Sequence, residues 1–131
     1  MKIDHLAIWV KDLEKMKAFY TKYFNMKCGN KYNNEDKKFS SYFLSFDSGA
    51  RIEIMYQSDI SEHKENRGIT NGITHFAISV GHKEKVNQLT ELFRNDGFEI
   101  IGEPRTTGDG YYESVILDPE GNSIEITESI N

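Results

Sequence analysis

Two stretches in which apolar and polar residues alternate predict β-strands of nearly the same sequence. His5–Val10 and His75–Val80 both begin with His and continue with Ala and Ile at matching positions. Two later stretches, Arg51–Met55 and Asn122–Thr127, each contain Ile-Glu-Ile and each follow a turn that contains glycine. Alternation with a period of two residues is typical of half-buried strands. We therefore interpret the chain as a duplication in which each copy carries one His and one Glu.

Apolar residues at helical spacing predict one helix in each copy. The first spans about residues 12–25, with Asp12 placed to accept from free amides of the first turn. The second spans about residues 83–96 and ends at Gly97. Residues 57–72 lack periodicity and are compatible with a linker, a lid or a short helix. The remaining predicted strands are 26–31, 40–46, 50–56, 98–101, 111–117 and 123–128, with loops at 33–38 and 103–110.

Each copy thus has the order strand, helix and three strands. The copies cover about residues 1–57 and 73–128 and lie within one domain of residues 1–131. The two His residues are 70 positions apart and the two Glu residues are 72 positions apart, as expected for one repeated unit with small loop changes. A domain of this length buries roughly two-thirds of its extended surface, which is enough for a hydrophobic core.

The alternation of side chains places one His and one Glu of each copy on the sheet face that points away from the helix. Buried carboxylates and imidazoles are costly unless they are paired or bind a metal. Two neutral His and two Glu anions balance a divalent transition metal and leave positions open for a substrate. For one such residue alone we favour ordinary pairing, but the repetition favours a metal site made of His5, Glu53, His75 and Glu125.

Composition narrows the class of protein. The chain has 131 residues, a net charge of −5, 37% hydrophobic residues and no apolar run long enough for a membrane-spanning helix. This charge argues against a nucleic-acid partner. A strand that starts almost at Met1 predicts that there is no signal peptide, and the single Cys28 fits a reducing, cytoplasmic location. His63 and His82, which lack any partner pattern, are expected to be surface residues.

At this point the chain resembles the vicinal-oxygen-chelate superfamily, which includes glyoxalases, bleomycin-resistance proteins and extradiol dioxygenases. The resemblance covers nearly the whole chain and rests on His5–Leu13, Phe19-Tyr20, Arg51–Ile54, Thr74–Val80 and Leu117–Ile126. It implies an α+β fold in which two βαβββ modules form a curved, cup-shaped mixed sheet. It also implies a metal site, a small-molecule substrate and a homodimer.

The complete set of two His and two Glu is most similar to glyoxalase I, whose metal ligands map onto His5, Glu53, His75 and Glu125. The resemblance then implies a nickel or zinc enzyme, similar to lactoylglutathione lyase. Such an enzyme converts the hemithioacetal of a 2-oxoaldehyde and a thiol to a thioester through an enediolate. We expect Glu125 to be the catalytic base and Glu53 to be the second proton-transfer group.

Two positions depart from the glutathione-binding pattern of that family. Trp9 stands where glyoxalase I proteins tend to have an Arg that holds the glutathione carboxylate, and Gln57 stands where they tend to have Asn. Another Arg (Arg51, Arg67 or Arg105) is a candidate substitute, or the thiol is a different one. An epimerase, an antibiotic thiol transferase and a metal-free protein that sequesters a small molecule remain the alternatives.

Overall fold

The computed structural model describes residues 1–62 and 65–130. In chain order its elements are β1 His5–Trp9, α1 Leu13–Phe24, β2 Lys27–Cys28, β3 Tyr32–Asn34, β4 Phe39–Ser45, β5 Arg51–Gln57, β6 Phe76–Ser79, α2 Lys83–Asn95, β7 Ile100–Thr106, β8 Tyr112–Leu117 and β9 Ser123–Thr127. They form two compact units, Met1–His63 and Lys64–Asn131. Within the described ranges, neither helix has the length and apolar character that crossing a membrane requires.

The first unit is a five-stranded sheet with α1 packed on one face. The strand order is β1-β5-β4-β2, and β3 pairs with β4. β1 and β5 are parallel, and α1 lies in the connection between them. The Asp12 carboxylate accepts a hydrogen bond from the Lys15 amide and caps the helix, as the sequence predicts. Met16 and Tyr20 of α1 and Ile54 of β5 are fully buried, so they form the core of this unit.

The second unit repeats this arrangement with four strands. The order is β6-β9-β8-β7, and β6 and β9 are parallel. α2 packs on the sheet through the buried residues Val86, Leu89 and Phe93. The helix ends as predicted, because Gly97 adopts a positive φ of 86° that glycine accepts readily.

The fold class of the sequence prediction, α+β with two repeated modules, is confirmed, but several boundaries differ. The predicted loop at 33–38 contains a short strand, β3, that forms a hairpin with β4 through a turn at 35–38. The first module therefore has one strand more than the second. β3 escapes sequence detection because its three residues, Tyr-Asn-Asn, show no apolar alternation.

The predicted loop at 103–110 is also partly wrong, because β7 continues to Thr106. Pro104 lies within β7, although proline cannot donate a hydrogen bond to a strand ladder. β7 is an edge strand with irregular register between Ile100 and Arg105, and both features accommodate a proline. The strand predicted at His75–Val80 is shorter, because β6 begins at Phe76 and ends at Ser79, so His75 immediately precedes β6.

The described residues of the segment 57–72 contain neither a helix nor a strand beyond the end of β5, and several of them form turns. A short helix is therefore excluded for these described residues. Positions 63 and 64, and with them the prediction for His63, lie outside the described residues. His82 is exposed as expected and precedes the first turn of α2.

Candidate metal-binding and active site

The first unit brings His5 and Glu53 together on the sheet face opposite α1. The parallel register sets Ala7 beside Glu53, so the small Ala side chain leaves room for the two functional groups to approach. His5 Nε2 lies 3.7 Å from Glu53 Oε1. The Glu53 side chain is 15% exposed and His5 is 38% exposed. Phe43, opposite Glu53 on β4, meets the imidazole edge-to-face with ring centroids 5.3 Å apart.

Asp4 and Arg51 support the other side of the His5 ring. His5 Nδ1 donates to Asp4 Oδ2 over 2.8 Å, and Arg51 Nη2 donates to the same oxygen over 2.6 Å. The Arg51 guanidinium also lies 4.2 Å from the centre of the Phe43 ring. The hydrogen bond from His5, and then Arg51, hold the pKa of the Asp4 carboxyl below its ordinary value. The Asp4 carboxylate is therefore ionised at neutral pH and accepts hydrogen bonds.

The second unit forms the corresponding pair from His75 and Glu125. His75 Nε2 lies 3.0 Å from Glu125 Oε1, and Ala77 stands beside Glu125 in the register of β6 and β9. The Glu125 side chain is 19% exposed. The positions that correspond to Asp4 and Arg51 are Thr74 and Ser123, so this pair lacks the ion pair that supports His5.

A pocket of about 510 Å³ opens around the second pair. Its walls combine apolar strand residues with polar groups, and its lining consists of Arg67, Gly68, Ile69, Thr74, His75, Ile101, Val115, Leu117, Glu120, Gly121, Ser123 and Glu125. Arg67 Nη1 donates to the Glu120 carbonyl oxygen over 2.9 Å and to Asn122 Oδ1 over 3.2 Å. Both acceptors are neutral. Within the described ranges Arg67 has no carboxylate partner, so its charge remains available for a ligand.

Glu113 is a carboxylate on this sheet face that the sequence analysis missed. It lies on β8 on the same side as Val115, which pairs with Glu125, and only 6% of it is exposed. Burial, and then the neighbouring Glu125, raise the pKa of Glu113, while Arg105 at 3.6 Å opposes the shift. The sequence did contain a signal for Glu113, because it is a charged residue within the predicted strand 111–117 and shares the strand face of Val115.

An aromatic group lies on the same face of the first unit, toward the end of β1. Trp9 shares the strand face of His5 and meets Phe39 edge-to-face with centroids 6.1 Å apart. Tyr32 also contacts Phe39. Trp9 is 42% exposed, and an indole cannot form the two parallel hydrogen bonds that a carboxylate takes from Arg. This region suits an apolar group better than an anion.

The predicted site residues thus come together as two pairs, one in each unit. Imidazole nitrogen and carboxylate oxygen are suitable donors for zinc or nickel, and Asp4 orients His5 with Nε2 directed to Glu53. The donor chemistry therefore fits a divalent metal. Within residues 1–62 and 65–130 there is no cluster of three or more His, Cys, Asp or Glu side chains suited to hold an ion. The four-ligand metal site stays a prediction.

The family model of the Glyoxalase/Bleomycin resistance protein/Dioxygenase superfamily matches residues 2–126 of this sequence. The chain belongs to this superfamily. The match includes both His–Glu pairs, and the resemblance seen in the sequence is confirmed at the level of the superfamily.

Relatives of this chain include proteins named lactoylglutathione lyase from plants and bacteria. The lactoylglutathione lyase GLX1 of Arabidopsis thaliana is 31% identical over 128 residues, which are 95% of this chain and 43% of the plant protein. The lactoylglutathione lyase of Salmonella typhimurium is 27% identical over 133 residues, which are 98% of this chain and 93% of that protein. The chain therefore spans less than half of the plant relative but nearly all of the bacterial one.

Solved structures give the same result for the fold. Glyoxalase I from Zea mays superposes with a TM-score of 0.80 at 26% identity, over 99% of this chain and 45% of the maize chain. The trypanothione-dependent glyoxalase I of Leishmania major superposes with a TM-score of 0.78 at 25% identity, over 98% of this chain and 86% of that chain.

Proposed function

We propose that this protein is a metal-dependent lyase of the glyoxalase I type. It would convert the hemithioacetal of a 2-oxoaldehyde and a thiol to the thioester of a 2-hydroxy acid. The observation that carries the proposal is the His–Glu pair that each unit presents on its open sheet face. Relatives named lactoylglutathione lyase support this reaction over others known in the superfamily.

His5, Glu53, His75 and Glu125 would hold one divalent ion, for which nickel and zinc are the best candidates. When bound, the ion supplies a positive charge that stabilises negative charge on the substrate oxygens. The neutral imidazoles and the two carboxylates balance the charge of such an ion.

Glu125 would be the catalytic base. It borders the pocket next to His75 and is only 19% exposed, so its carboxylate would face a substrate bound in the pocket. Glu125 would remove the proton from the carbon that carries sulfur, and a proton would return to the neighbouring carbon. The hydroxyl on the first carbon gives up its proton and becomes the thioester carbonyl, while the oxygen on the neighbouring carbon gains a proton and becomes the new hydroxyl. The reaction is therefore an isomerisation without net gain or loss of atoms. Glu53 would be the second proton-transfer group.

Arg67 would bind a carboxylate of the thiol. Of the three arginines considered from the sequence, Arg51 is paired with Asp4 and Arg105 with Glu113. Among the described residues, Arg67 is held only by neutral acceptors at the rim of the pocket. A charge-assisted, bidentate contact with an acidic thiol such as glutathione would therefore use Arg67.

The proposed reaction is tested by adding nickel or zinc to chelator-treated protein and assaying hemithioacetals of methylglyoxal with several thiols. We expect metal-dependent thioester formation, and a loss of roughly 10²- to 10⁴-fold in kcat for Glu125→Gln, the usual contribution of a general base. Glu91→Gln on the exposed side of α2 is the matched control. Full activity of Glu125→Gln would refute the role of Glu125, and inactivity with every metal and thiol would refute the function.

A second test concerns Arg67. Arg67→Met should raise KM for hemithioacetals of acidic thiols roughly 10- to 100-fold, as expected for loss of a hydrogen bond to a charged group. Hemithioacetals of an uncharged thiol should be unaffected. Arg94→Met, which removes an arginine paired with Glu103 elsewhere in the same unit, serves as the control. Equal effects of Arg67→Met on acidic and neutral thiols would contradict this role.

The aromatic group of Trp9, Phe39 and Tyr32 supports one alternative of a different class, a metal-free protein that sequesters an apolar molecule. Isothermal titration against a panel of aromatic compounds in the presence of chelator separates the two functions. Tight binding without metal, combined with the absence of lyase activity, would favour sequestration.

A further inference from the structure

We propose that Asp4 is a positioning residue that fixes the tautomer of His5 and so prepares this imidazole to bind a metal ion. This inference rests on the proposed function only in taking His5 as a metal ligand. It rests on a contact between His5 Nδ1 and the Asp4 carboxylate, and within the described residues His75 Nδ1 of the second unit has no such carboxylate partner.

The contact with Asp4 determines which ring nitrogen of His5 carries the proton. An ionised carboxylate only accepts hydrogen bonds, so Nδ1 must be the donor over the 2.8 Å to Asp4 Oδ2. In a neutral imidazole the lone pair then lies on Nε2. That is the nitrogen 3.7 Å from Glu53, so the metal-binding atoms of both side chains face the same space.

Asp4 is itself held in place from two directions. Arg51 Nη2 donates to the carboxylate oxygen that His5 uses, and the Arg51 amide donates to the Asp4 carbonyl oxygen over 3.0 Å. The second bond extends the parallel pairing of β1 and β5 by one residue. Phe43 completes the support, because both the imidazole and the guanidinium pack against its ring. Two hydrogen bonds from Arg51 therefore hold Asp4 next to His5 in the metal-free chain.

The second unit shows what the same module looks like without this device. Thr74 and Ser123 occupy the positions of Asp4 and Arg51, and both line the pocket instead. Within the described ranges, His75 Nδ1 forms no hydrogen bond. Partners of this kind make a metal-binding imidazole a better ligand, and their removal typically lowers metal affinity 10- to 100-fold. The His5 imidazole is thus oriented by Asp4, whereas the His75 imidazole lines the pocket.

The first experiment reads the tautomer in the metal-free full chain by long-range ¹H–¹⁵N correlation at about pH 8, above the ordinary His pKa of about 6.5. We expect His5 to be in the Nδ1–H form in the wild type and to shift toward Nε2–H in Asp4→Ala. Asp47→Ala removes an exposed carboxylate that pairs with Lys27 in the same unit and should leave His5 unchanged. A wild-type His5 in the Nε2–H form would overturn the inference.

The second experiment measures zinc and nickel affinity by competition with a chromophoric chelator, without any substrate. We expect roughly 10- to 100-fold weaker binding in Asp4→Ala, an intermediate loss in Asp4→Asn, which still accepts a hydrogen bond, and none in Asp47→Ala. Wild-type affinity in Asp4→Ala would refute the proposal.

The affinity measurement also separates this proposal from the proposed function. If the wild type binds an ion but forms no thioester, the lyase function fails and the role of Asp4 stands. If it binds no ion, the metal site fails, and the tautomer alone then decides whether Asp4 fixes His5.

Discussion

Glu113 is a carboxylate whose charged form is disfavoured by the fold, because burial and the neighbouring Glu125 raise its pKa. The folded state therefore prefers the protonated form more strongly than the unfolded state does. This contribution to stability is fully present below the unfolded pKa, about 4.3 for Glu, and is lost as the pH rises through the higher folded pKa.

We therefore predict that Glu113→Gln, which is neutral at every pH, has a higher free energy of unfolding than the wild type at pH 7. The difference should vanish below about pH 4. Urea denaturation of metal-free protein at several pH values measures this. The loss of the partly exposed Arg105 partner is a small opposing effect. A pH-independent difference would show that desolvation of the Glu113 charge is not the cause.

At the scale of elements, α2 is joined to β8 by a buried polar contact within the core. Thr90 Oγ1 donates to the Val86 carbonyl oxygen over 2.7 Å, so the Ser114 hydroxyl, also 2.7 Å away, donates to Thr90. Both side chains are fully buried. Removal of the Thr90 hydroxyl leaves the Ser114 hydroxyl without this partner, which is costlier than removal of both hydroxyls.

Thr90→Val should lower the free energy of unfolding by about 1–3 kcal/mol, because Ser114 then has a buried donor without an acceptor. Thr90→Val combined with Ser114→Ala should lose less than the sum of the two single variants. A double-mutant cycle by chemical denaturation measures the difference. Strict additivity would mean that the contact contributes no coupling energy.

Sequence patterns predict most elements here because the strands of both modules alternate cleanly and the helices carry clear caps. They fail at β3, which is too short and polar to show a period, and at β7, where an edge position tolerates Pro104. The His and Glu positions were predictable from strand phase alone. The hydrogen-bond partners of Asp4 and Arg67 were not, because they depend on which groups the folded chain brings within hydrogen-bond distance.

At the scale of the whole molecule, the chain accounts for 45% of the maize glyoxalase I chain that it resembles. Two copies of this chain would together account for about the length of one such longer chain. We therefore predict a homodimer, with a mass in solution of twice the 15.1 kDa of one chain. Light scattering coupled to size-exclusion chromatography measures this, and a monomer that retains full lyase activity would contradict it.

Mixing two inactive variants tests whether the metal ligands of one site come from one chain or from two. His5→Ala and His75→Ala each remove one ligand from a different unit. If sites form between chains, as the dimer prediction suggests, each mixed dimer has one intact site and one site that lacks both histidines. Co-refolding the two variants should then restore about a quarter of wild-type activity per chain if pairing is random, and about a half if all dimers are mixed. Absence of any recovery, with mixed dimers verified by mass spectrometry, would assign the site to a single chain.

The alanine beside each glutamate, Ala7 in one unit and Ala77 in the other, has a consequence for how such proteins diverge. A branched or longer residue in place of either alanine would crowd the space that the imidazole and the carboxylate share. All His and Glu residues of the predicted site would nevertheless remain in the sequence. A descendant of this chain could therefore lose metal chemistry while still appearing intact at its His and Glu positions. Whether a homologue keeps the activity is therefore better judged from each glutamate together with the alanine beside it than from the glutamate alone.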